Sequence, residues 1–522
     1  MAVGADDGRD APTVGLIGTF DIANYGDLLL PEVTERELVA RIPDLVVRRL
    51  APFGWEHPVP SDGGVVAEPL GEPTDARRAE LAEDCDALII GGGEIIHFED
   101  RLLAPHYDTT EEEVLARAPS TWFVDGTGPA APLPTAWNAV GIPFDIPAER
   151  AAFVRSAVER HEYVAVRDHT SRERLEKIGL DREIHVVPDP GFVAPRVFAP
   201  ALLERRRRLH ATLGWLPPGP YLVVQGNGSM VEGAGRMSMA LDAVLGERPD
   251  LSLVLIETGI GHGDREFSAA FGAAHPARLW RPTAPLLPAD VAALIAGSDA
   301  FVGVSMHGAI TAIAYGKRAV VFNAPRQTKL RGMVDHLRDR AGYAEVADEL
   351  PAALRSVLTT IGPDPELAAI TRRIDAHFDR VAAMIERAHA RADGDGRVDV
   401  GPRVARLTAE LDAVRTAHTV RGRRLLAERD ALTTMVDERD RHIAELASAI
   451  ANGEAAALER DELAASLGEK DRRIAELEAA LAAAAEDRRA LDAARAEIDA
   501  LHATKTMRWL RLPRRVYGRL RR

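Results

Sequence analysis

The sequence predicts an α/β protein in which two parallel sheets, each interleaved with helices, face a cleft and are followed by a long C-terminal coiled coil. Three observations carry that expectation. Short apolar runs bounded by Gly, Pro or polar tips alternate with helical stretches from Val14 onward, a pattern that implies parallel strands joined by crossover helices. The proline-bearing stretch 195–220, with the run Arg205–Arg208, separates this series into two halves. Beyond residue 402, apolar positions fall three and four apart in a background of Ala, Glu, Arg and Asp. The expected divisions are a disordered N-terminus at 1–12, sheet domains at 13–195 and 196–390, a linker at 391–402, a coiled coil at 403–502 and a basic amphipathic tail at 503–522.

Composition agrees with this division. A chain of 522 residues is too long for a single core, and its 46% hydrophobic and 28% charged residues suit a globular protein. The formal charge of -15 argues against nucleic acid as a partner. Cys85 is the sole cysteine, which excludes an intrachain disulfide framework; it reads as a small buried residue. The first residues carry neither a basic start nor an apolar core, and no apolar run suffices to span a bilayer, so the expected location is cytoplasmic.

Val14–Thr19 reads as the first strand, and F-D-I-A-N-Y-G-D leads from it into a helix from Leu28 through Leu38. This is a Rossmann-like opening without the G-x-G-x-x-G of a dinucleotide fingerprint. Asp27 can cap that helix. Strands come next at Leu45–Leu50 and Val65–Leu70, then a helix at Asp75–Cys85 and a strand at Asp86–Ile90. That strand runs into Gly91-Gly92-Gly93-Glu94, where successive glycines let the backbone approach a ligand closely. Glu94 can cap the segment after it or orient a sugar hydroxyl, and His97 is expected at the surface. The stretch 101–134 resists a regular reading and is expected to be a lid or acceptor loop. Order returns with strands at Ala139–Phe144 and Tyr163–Val166, the latter ending at Arg167. Val186-Val187-Pro188-Asp189-Pro190 repeats the strand and polar tip, with Asp189 as a hydroxyl contact, a hinge or a turn former.

In the second half, strands are expected at Tyr221–Gln225, Leu251–Glu257, Ala277–Arg281, Ala300–Val304 and Ala319–Phe322, alternating with helices near Arg236–Leu245, Arg265–Phe271, Ala289–Ala296 and Ala309–Tyr315. The strand before Ser305 delivers His307 to its carboxyl edge, where Gly308 opens a helix and an anion can meet unpaired backbone N–H groups. Lys329 lies downstream of the next strand. On residue chemistry alone, His307 also suits a helix-start role.

S-M-H-G at 305–308, Y-G-K-R-A-V-V-F-N and Lys329, with the N-x-G-D of Asn24, Gly26 and Asp27, the G-G-G turn, the middle strand N-A-V-G-I-P-F, R-x-x-x-S from Arg167 and P-D-P around Asp189, resemble the polysaccharide pyruvyl transferase family. The resemblance covers roughly 14–340. It implies two Rossmann-like domains in the glycosyltransferase-B-like arrangement and transfer of the enolpyruvyl unit of phosphoenolpyruvate to a sugar of a cell-surface glycan, or its lipid-linked precursor, as a ketal. The reaction needs no metal or redox cofactor, and the donor phosphoenolpyruvate and a saccharide acceptor are the implied small-molecule partners. His307 is then the catalytic residue, as general acid or phosphate donor. Arg167 and Lys329 hold anionic groups, and Asn24, Gly26, Asp27, Gly91, Gly92, Gly93, Glu94, Asp189, Ser305 and Gly308 contribute to substrate binding. Many relatives carry Arg where this chain has Ser305. The alternatives are a nucleotide-sugar-dependent glycosyltransferase using the same cleft and a non-catalytic coiled-coil scaffold of a glycan-assembly complex.

Val404, Leu407, Leu411, Val414, Leu425, Leu432 and Met435, then Ile474, Leu477, Leu481, Leu491, Ile498 and Leu501, form the apolar seam, interrupted at Asn452-Gly453. A long solitary helix is the competing reading; a coiled coil implies a homo-oligomer, most simply a dimer. The tail from Lys505 holds eight Lys or Arg and no acid, interleaved with Trp509, Leu510, Leu512, Val516, Tyr517 and Leu520. That mixture suits an anionic membrane surface at the inner face, with a solvated basic end or an RNA-binding tail as alternatives. At about 1 kcal/mol per basic residue near anionic lipid, the full chain should float with anionic but not neutral liposomes at low salt, and removal of 505–522 should abolish flotation.

Overall fold

A computed structural model of the chain describes residues 11–54, 67–107, 109–128, 132–259, 262–275, 279–334, 337, 341–359, 365–394, 468–473 and 475–476. The chain divides into two compact units, 1–402 and 403–522. Within the second, the described residues are helical. The seam positions of the expected coiled coil, the N-terminus before residue 11, the linker beyond 394 and the tail lie outside the described residues.

The first unit contains two parallel sheets. In the first the order is β3-β2-β1-β4-β5-β6-β7, built from β1 (Thr13–Ile17), β2 (Val46–Ala51), β3 (Glu68–Pro69), β4 (Ala87–Ile90), β5 (Thr135–Val140), β6 (Tyr163–Val166) and β7 (His185–Val186). The second runs β10-β9-β8-β11-β12-β13, from β8 (Tyr221–Val224), β9 (Ser252–Leu255), β10 (Leu279–Trp280), β11 (Ala300–Gly303), β12 (Arg318–Phe322) and β13 (Ala341–Ala344). Each sheet grows outward from its first strand and then resumes on the other side, so order reverses between β1 and β4 and between β8 and β11. Ligand crevices form at such reversals, beyond the carboxyl ends of the strands. The central strands β4, β6, β8, β9 and β11 are buried throughout, as strands covered by helices on both faces must be.

The two sheets are stitched together near the first helix, Tyr25–Val39. Asn24 forms an isolated antiparallel bridge with Gly259 of the second half, and the Tyr25 amide donates to the Thr258 carbonyl at 2.7 Å. The Tyr25 hydroxyl is 2.8 Å from that of Thr311, both buried. Asp21 anchors the preceding loop by accepting from the amides of Phe53 and Gly54 and from the Tyr107 hydroxyl, each at 2.8 Å. Burial raises its pKa to about 6 in spite of those donors.

Three expectations need correction. The stretch 101–134 is not an open lid: it contains helices Glu111–Arg117 and Pro119–Val124, and Trp122, Phe123 and Val124 have no exposed surface. The Trp122 indole donates to the Gly71 carbonyl at 2.9 Å, which ties the segment to the first sheet's core. The strand expected at Ala139–Phe144 begins and ends earlier, at Thr135–Val140, with a bulge before Val140 where Ala139 takes a φ of 51°. The crossing at 195–220 carries a helix, Pro200–Thr212. Helices Thr328–Val334, Leu350–Thr359 and Pro365–Gly394 and strand β13 were not anticipated.

Helix Pro365–Gly394 comes after the second sheet in sequence yet packs on the first. His377 lies between Asn138 Oδ1 at 2.7 Å and the Tyr163 hydroxyl at 3.0 Å, while Asn138 donates to the Thr34 hydroxyl at 2.9 Å. Burial lowers the pKa of His377 to about 3, and that of His161, also buried, to about 3. Both rings are neutral when folded and protonate on unfolding in mild acid. Because their folded pKa values lie below the unfolded 6.5, the stability they contribute is complete above pH 6.5 and is lost as pH falls from there toward 3. The denaturant midpoint should therefore drop steadily below pH 6.5, and His377→Gln should flatten that slope by up to about one proton while costing some stability at neutral pH.

Candidate active site

His307 stands one residue into the helix Met306–Ala314, directly after β11. The turn that aims it is held by Gln225, whose Oε1 accepts from the amides of Val304 at 3.2 Å and Ser305 at 2.9 Å. Ser305 caps the helix by accepting from the Gly308 amide at 3.2 Å. Gly308 itself lies on the Phe301 ring, where an added Cβ would sit 2.5 Å from Cζ. Ser305 and Gly308 therefore have evident structural work beside any contact with a ligand.

The imidazole is shared by both halves. Its Nε2 lies 3.3 Å from Asp189 Oδ2, and its other side faces Gly26, where a Cβ would fall 2.1 Å from Nδ1. Gly26 is thus required for the two halves to meet. Asp189 is buried, and its other oxygen accepts from the Gly191 amide at 2.9 Å. Burial alone would raise the pKa of Asp189, but His307 and Arg167 more than offset it and hold the carboxyl below the usual range.

From Asp189 the charges continue in alternation. Arg167 Nη1 lies 3.8 Å from Asp189 Oδ2, and Nη2 lies 3.0 Å from Glu94 Oε1. Lys329 Nζ reaches Glu94 Oε2 at 2.8 Å. Arg167 is only 4% exposed, at the end of β6, and Gly141 leaves it room: a Cβ there would lie 2.7 Å from its Nε. Burial opposes ionisation of Glu94, yet Lys329 and Arg167 overcome it and lower the pKa to about 2. Asp27 behaves in the opposite way. It accepts a hydrogen bond from the Thr19 hydroxyl and feels His307, His106 and Lys329, but burial prevails and raises its pKa.

The glycine turn serves mainly to let this geometry form. Gly91, Gly92 and Gly93 have φ values of 138°, 93° and 92°. Added Cβ atoms would lie 2.8 Å from Val140 at Gly91 and 2.8 Å from Leu30 at Gly92, whereas at Gly93 the nearest atom is Asp27 Oδ1 at 3.7 Å. Gly93 therefore faces the cluster, while Gly91 and Gly92 answer to packing. Asn24 is the helix cap, accepting from the Gly26 amide at 3.1 Å.

The structure thus gathers His307, Asp189, Arg167, Glu94, Lys329, Asp27, Gly26 and Gly93 into one cluster, and leaves Asn24, Ser305, Gly91, Gly92 and Gly308 as its scaffold. Sequence reasoning missed His106 and His262, whose ring centroids are 4.6 Å apart. His106 influences Asp27, and Lys329 with His106 helps keep His262 low, at about 4, behind the larger effect of burial. Neither lies in a strand-tip motif, so no sequence signal marks them. His97 is half-buried rather than on the surface, its Nδ1 accepting from the Glu99 amide at 3.2 Å.

The family model for polysaccharide pyruvyl transferase matches residues 24–324. No curated protein matches the chain significantly. Among solved structures, UDP-GlcNAc 2-epimerase from Methanocaldococcus jannaschii aligns at 10% identity over 69% of this chain and 98% of its own, with a TM-score of 0.45. UDP-GlcNAc 2-epimerase from Neisseria meningitidis aligns at 11% over 70% and 100%, with a TM-score of 0.41. A glycosyltransferase from Rickettsia africae aligns at 12% over 75% and 100%, with a TM-score of 0.44. At such values no substrate passes from these proteins to this chain.

The Glu94 carboxylate generates a test of the cluster. Its folded pKa of about 2 lies below the unfolded 4.5, so the stability it contributes is complete above pH 4.5 and disappears as pH falls toward 2. Glu94→Gln should cost on the order of 3 kcal/mol at pH 7, measured by denaturant unfolding. The gap from the unaltered chain should close as pH approaches 2.

Proposed function

Because the chain belongs to the polysaccharide pyruvyl transferase family, we propose that it moves the enolpyruvyl unit of phosphoenolpyruvate onto two hydroxyls of a saccharide acceptor. The observation that carries this reading is the convergence of His307, Arg167 and Lys329 at strand ends of both sheets, held there by Asp189 and Glu94.

Ketal formation adds a proton to the methylene carbon of the donor, joins two sugar oxygens in turn to its C2, and breaks the C2–O bond to release inorganic phosphate. Of the two hydroxyl protons, one balances the proton placed on carbon and the other leaves with phosphate. His307 in its protonated form supplies the carbon-bound proton, and Asp189 stabilises the imidazolium that must precede it. Asp27, whose burial favours proton uptake, accepts the proton of the first hydroxyl and passes it back toward His307. Arg167 and Lys329 face the donor's carboxylate and phosphate by loosening their hold on Asp189 and Glu94. The Gly93 turn, where an added Cβ would have no neighbour nearer than 3.7 Å, leaves room for the donor's approach.

His307→Gln should lower phosphate release from phosphoenolpyruvate in the presence of acceptor by about 10²–10⁴-fold, in the range set by loss of a general acid. Its thermal unfolding should stay close to that of the unaltered chain. Retained turnover would remove His307 from the chemistry.

A further inference from the structure

The loop that follows β5 carries an exposed aromatic ring to the edge of the cluster. Phe144 is 50% exposed, and among the described residues it is the only aromatic one of the large apolar side chains that face solvent. Its position follows from that of the cluster. The Gly141 amide donates to the Gly93 carbonyl at 2.8 Å and the Ile96 amide to the Gly141 carbonyl at 3.3 Å, so the chain leaving β5 runs beside the chain leaving β4. Gly141 lies against Arg167, and Glu94 of the neighbouring segment pairs with the same guanidinium. A few residues further along each segment, Phe144 meets His97, with ring centroids 6.4 Å apart and planes at 79°. The two rings therefore stand on the solvent side of the Arg167–Glu94 ion pair, on the wall formed by the first sheet.

Both rings are fixed in place. The Ile142 amide donates to the Ser171 hydroxyl at 3.0 Å, Arg174 donates to the Ile142 carbonyl, and Asp145 is held by Arg174 and Lys177, each at 3.3 Å, so the loop that presents Phe144 is braced on both sides of the ring. A phenyl ring left in water forfeits the free energy that its burial would supply. His97 accepts at Nδ1 from the Glu99 amide, and burial lowers its pKa, so the ring is neutral at pH 7 with its proton on Nε2. A flat apolar ring and an N–H donor thus stand side by side at the mouth of the cluster. A lipid surface is a poor match for them, because Asp145 occupies the two cations nearby and a single ring makes no extended apolar patch.

We propose that Phe144 and His97 form a subsite for the sugar unit next to the one that reacts, so that Phe144 selects glycans of two or more units over a single sugar. A pyranose presents an apolar face of C–H groups inside a rim of hydroxyls. The C–H face lies on the Phe144 ring, whose π surface is negative, and His97 donates from Nε2 to a hydroxyl of the rim. Because the loop is braced before the sugar arrives, little conformational freedom is lost on contact. The inference rests on the transferase reading for which sugar reacts at the cluster, and deepens it by naming the side chains that read the acceptor beyond that sugar.

The test uses the full chain on an array of immobilised mono-, di- and trisaccharides, with the variants Phe144→Ala, Phe144→Tyr and His97→Gln and, as a control, Leu209→Ala, whose side chain is also exposed, on the helix Pro200–Thr212. The unaltered protein should bind at least one di- or trisaccharide about tenfold more tightly than the single sugar at its end. Phe144→Ala should erase that preference, Phe144→Tyr should retain it because the ring is kept, His97→Gln should reduce it in part, and Leu209→Ala should leave it unchanged. Absence of binding by every glycan, equal binding of single sugars and longer glycans, or an unaltered preference in Phe144→Ala overturns the subsite. Phosphate release from phosphoenolpyruvate is measured alongside with the best-bound glycan, and there Phe144→Ala should raise the KM for glycan by about tenfold with little change in kcat or in the KM for phosphoenolpyruvate. If phosphate is released and the glycan KM of Phe144→Ala is unchanged, the subsite falls and the transferase reading stands. If ring-dependent glycan binding occurs without phosphate release, the subsite stands and the transferase reading falls.

Discussion

Lys329, Glu94, Arg167, Asp189 and His307 form a line of alternating charge drawn from the loops and helix starts that follow strands of both sheets, and the geometry of the cleft depends on it. An isolated charge as buried as Arg167 or Asp189 costs several kcal/mol in lost hydration. Alternation offsets that cost locally, so five groups from distant parts of the sequence settle into one arrangement. The line also spans the seam: Glu94, Arg167 and Asp189 come after strands of the first sheet, and His307 and Lys329 after strands of the second. Closing the halves and assembling the cluster are therefore one event.

That coupling bears on how a ligand enters. Gly26 lies against one side of His307 and Asp189 against the other, while the Asn24–Gly259 bridge and the Tyr25–Thr311 hydrogen bond hold the same turn in place. An anionic donor of the proposed reaction would compete with Glu94 and Asp189 for the cations they hold, and so weaken one of the links across the seam. Ser305 fits this picture. It caps the helix that carries His307 and adds no charge to the line.

The parts legible in the sequence were those governed by local chemistry. β1, β4, β6, β8 and β11 are short apolar runs that end in polar or glycine tips, and the tips are where His307, Arg167 and the glycine turn stand. β5 lies earlier than expected because Thr135 and Asn138 interrupt its apolar run; Thr135 is satisfied locally by the Leu133 carbonyl, but Asn138 depends on a partner the sequence keeps far away, His377, across 239 positions. The segment 101–134 looked irregular since its helices are short and proline-broken, although Trp122 and Phe123 fill the core. β13 is A-G-Y-A, too weakly apolar to announce a strand. Within the site, residue identity was readable but allegiance was not. Nothing local distinguishes Gly93, which faces Asp27, from Gly91 and Gly92, which face Val140 and Leu30.

Environment, more than residue type, divides the carboxylates of this site into kinds. Glu94 sits between two cations and stays ionised far into acid; Asp189 lies beside His307 and Arg167, which hold its carboxyl below the usual range. Asp27, the residue after Gly26, has only a hydroxyl as donor, and desolvation raises its pKa. A carboxylate locked in the ionised form holds cations and orients an imidazole but is a poor base, whereas one with a raised pKa takes up a proton more readily. A ketal-forming reaction needs both, because charge on the donor must be held while two hydroxyl protons are moved. The same segment that places Asp27 at the cluster also carries Asn24 and Tyr25, whose contacts with Gly259, Thr258 and Thr311 join the two sheets, so a change there would disturb the cluster and the seam together.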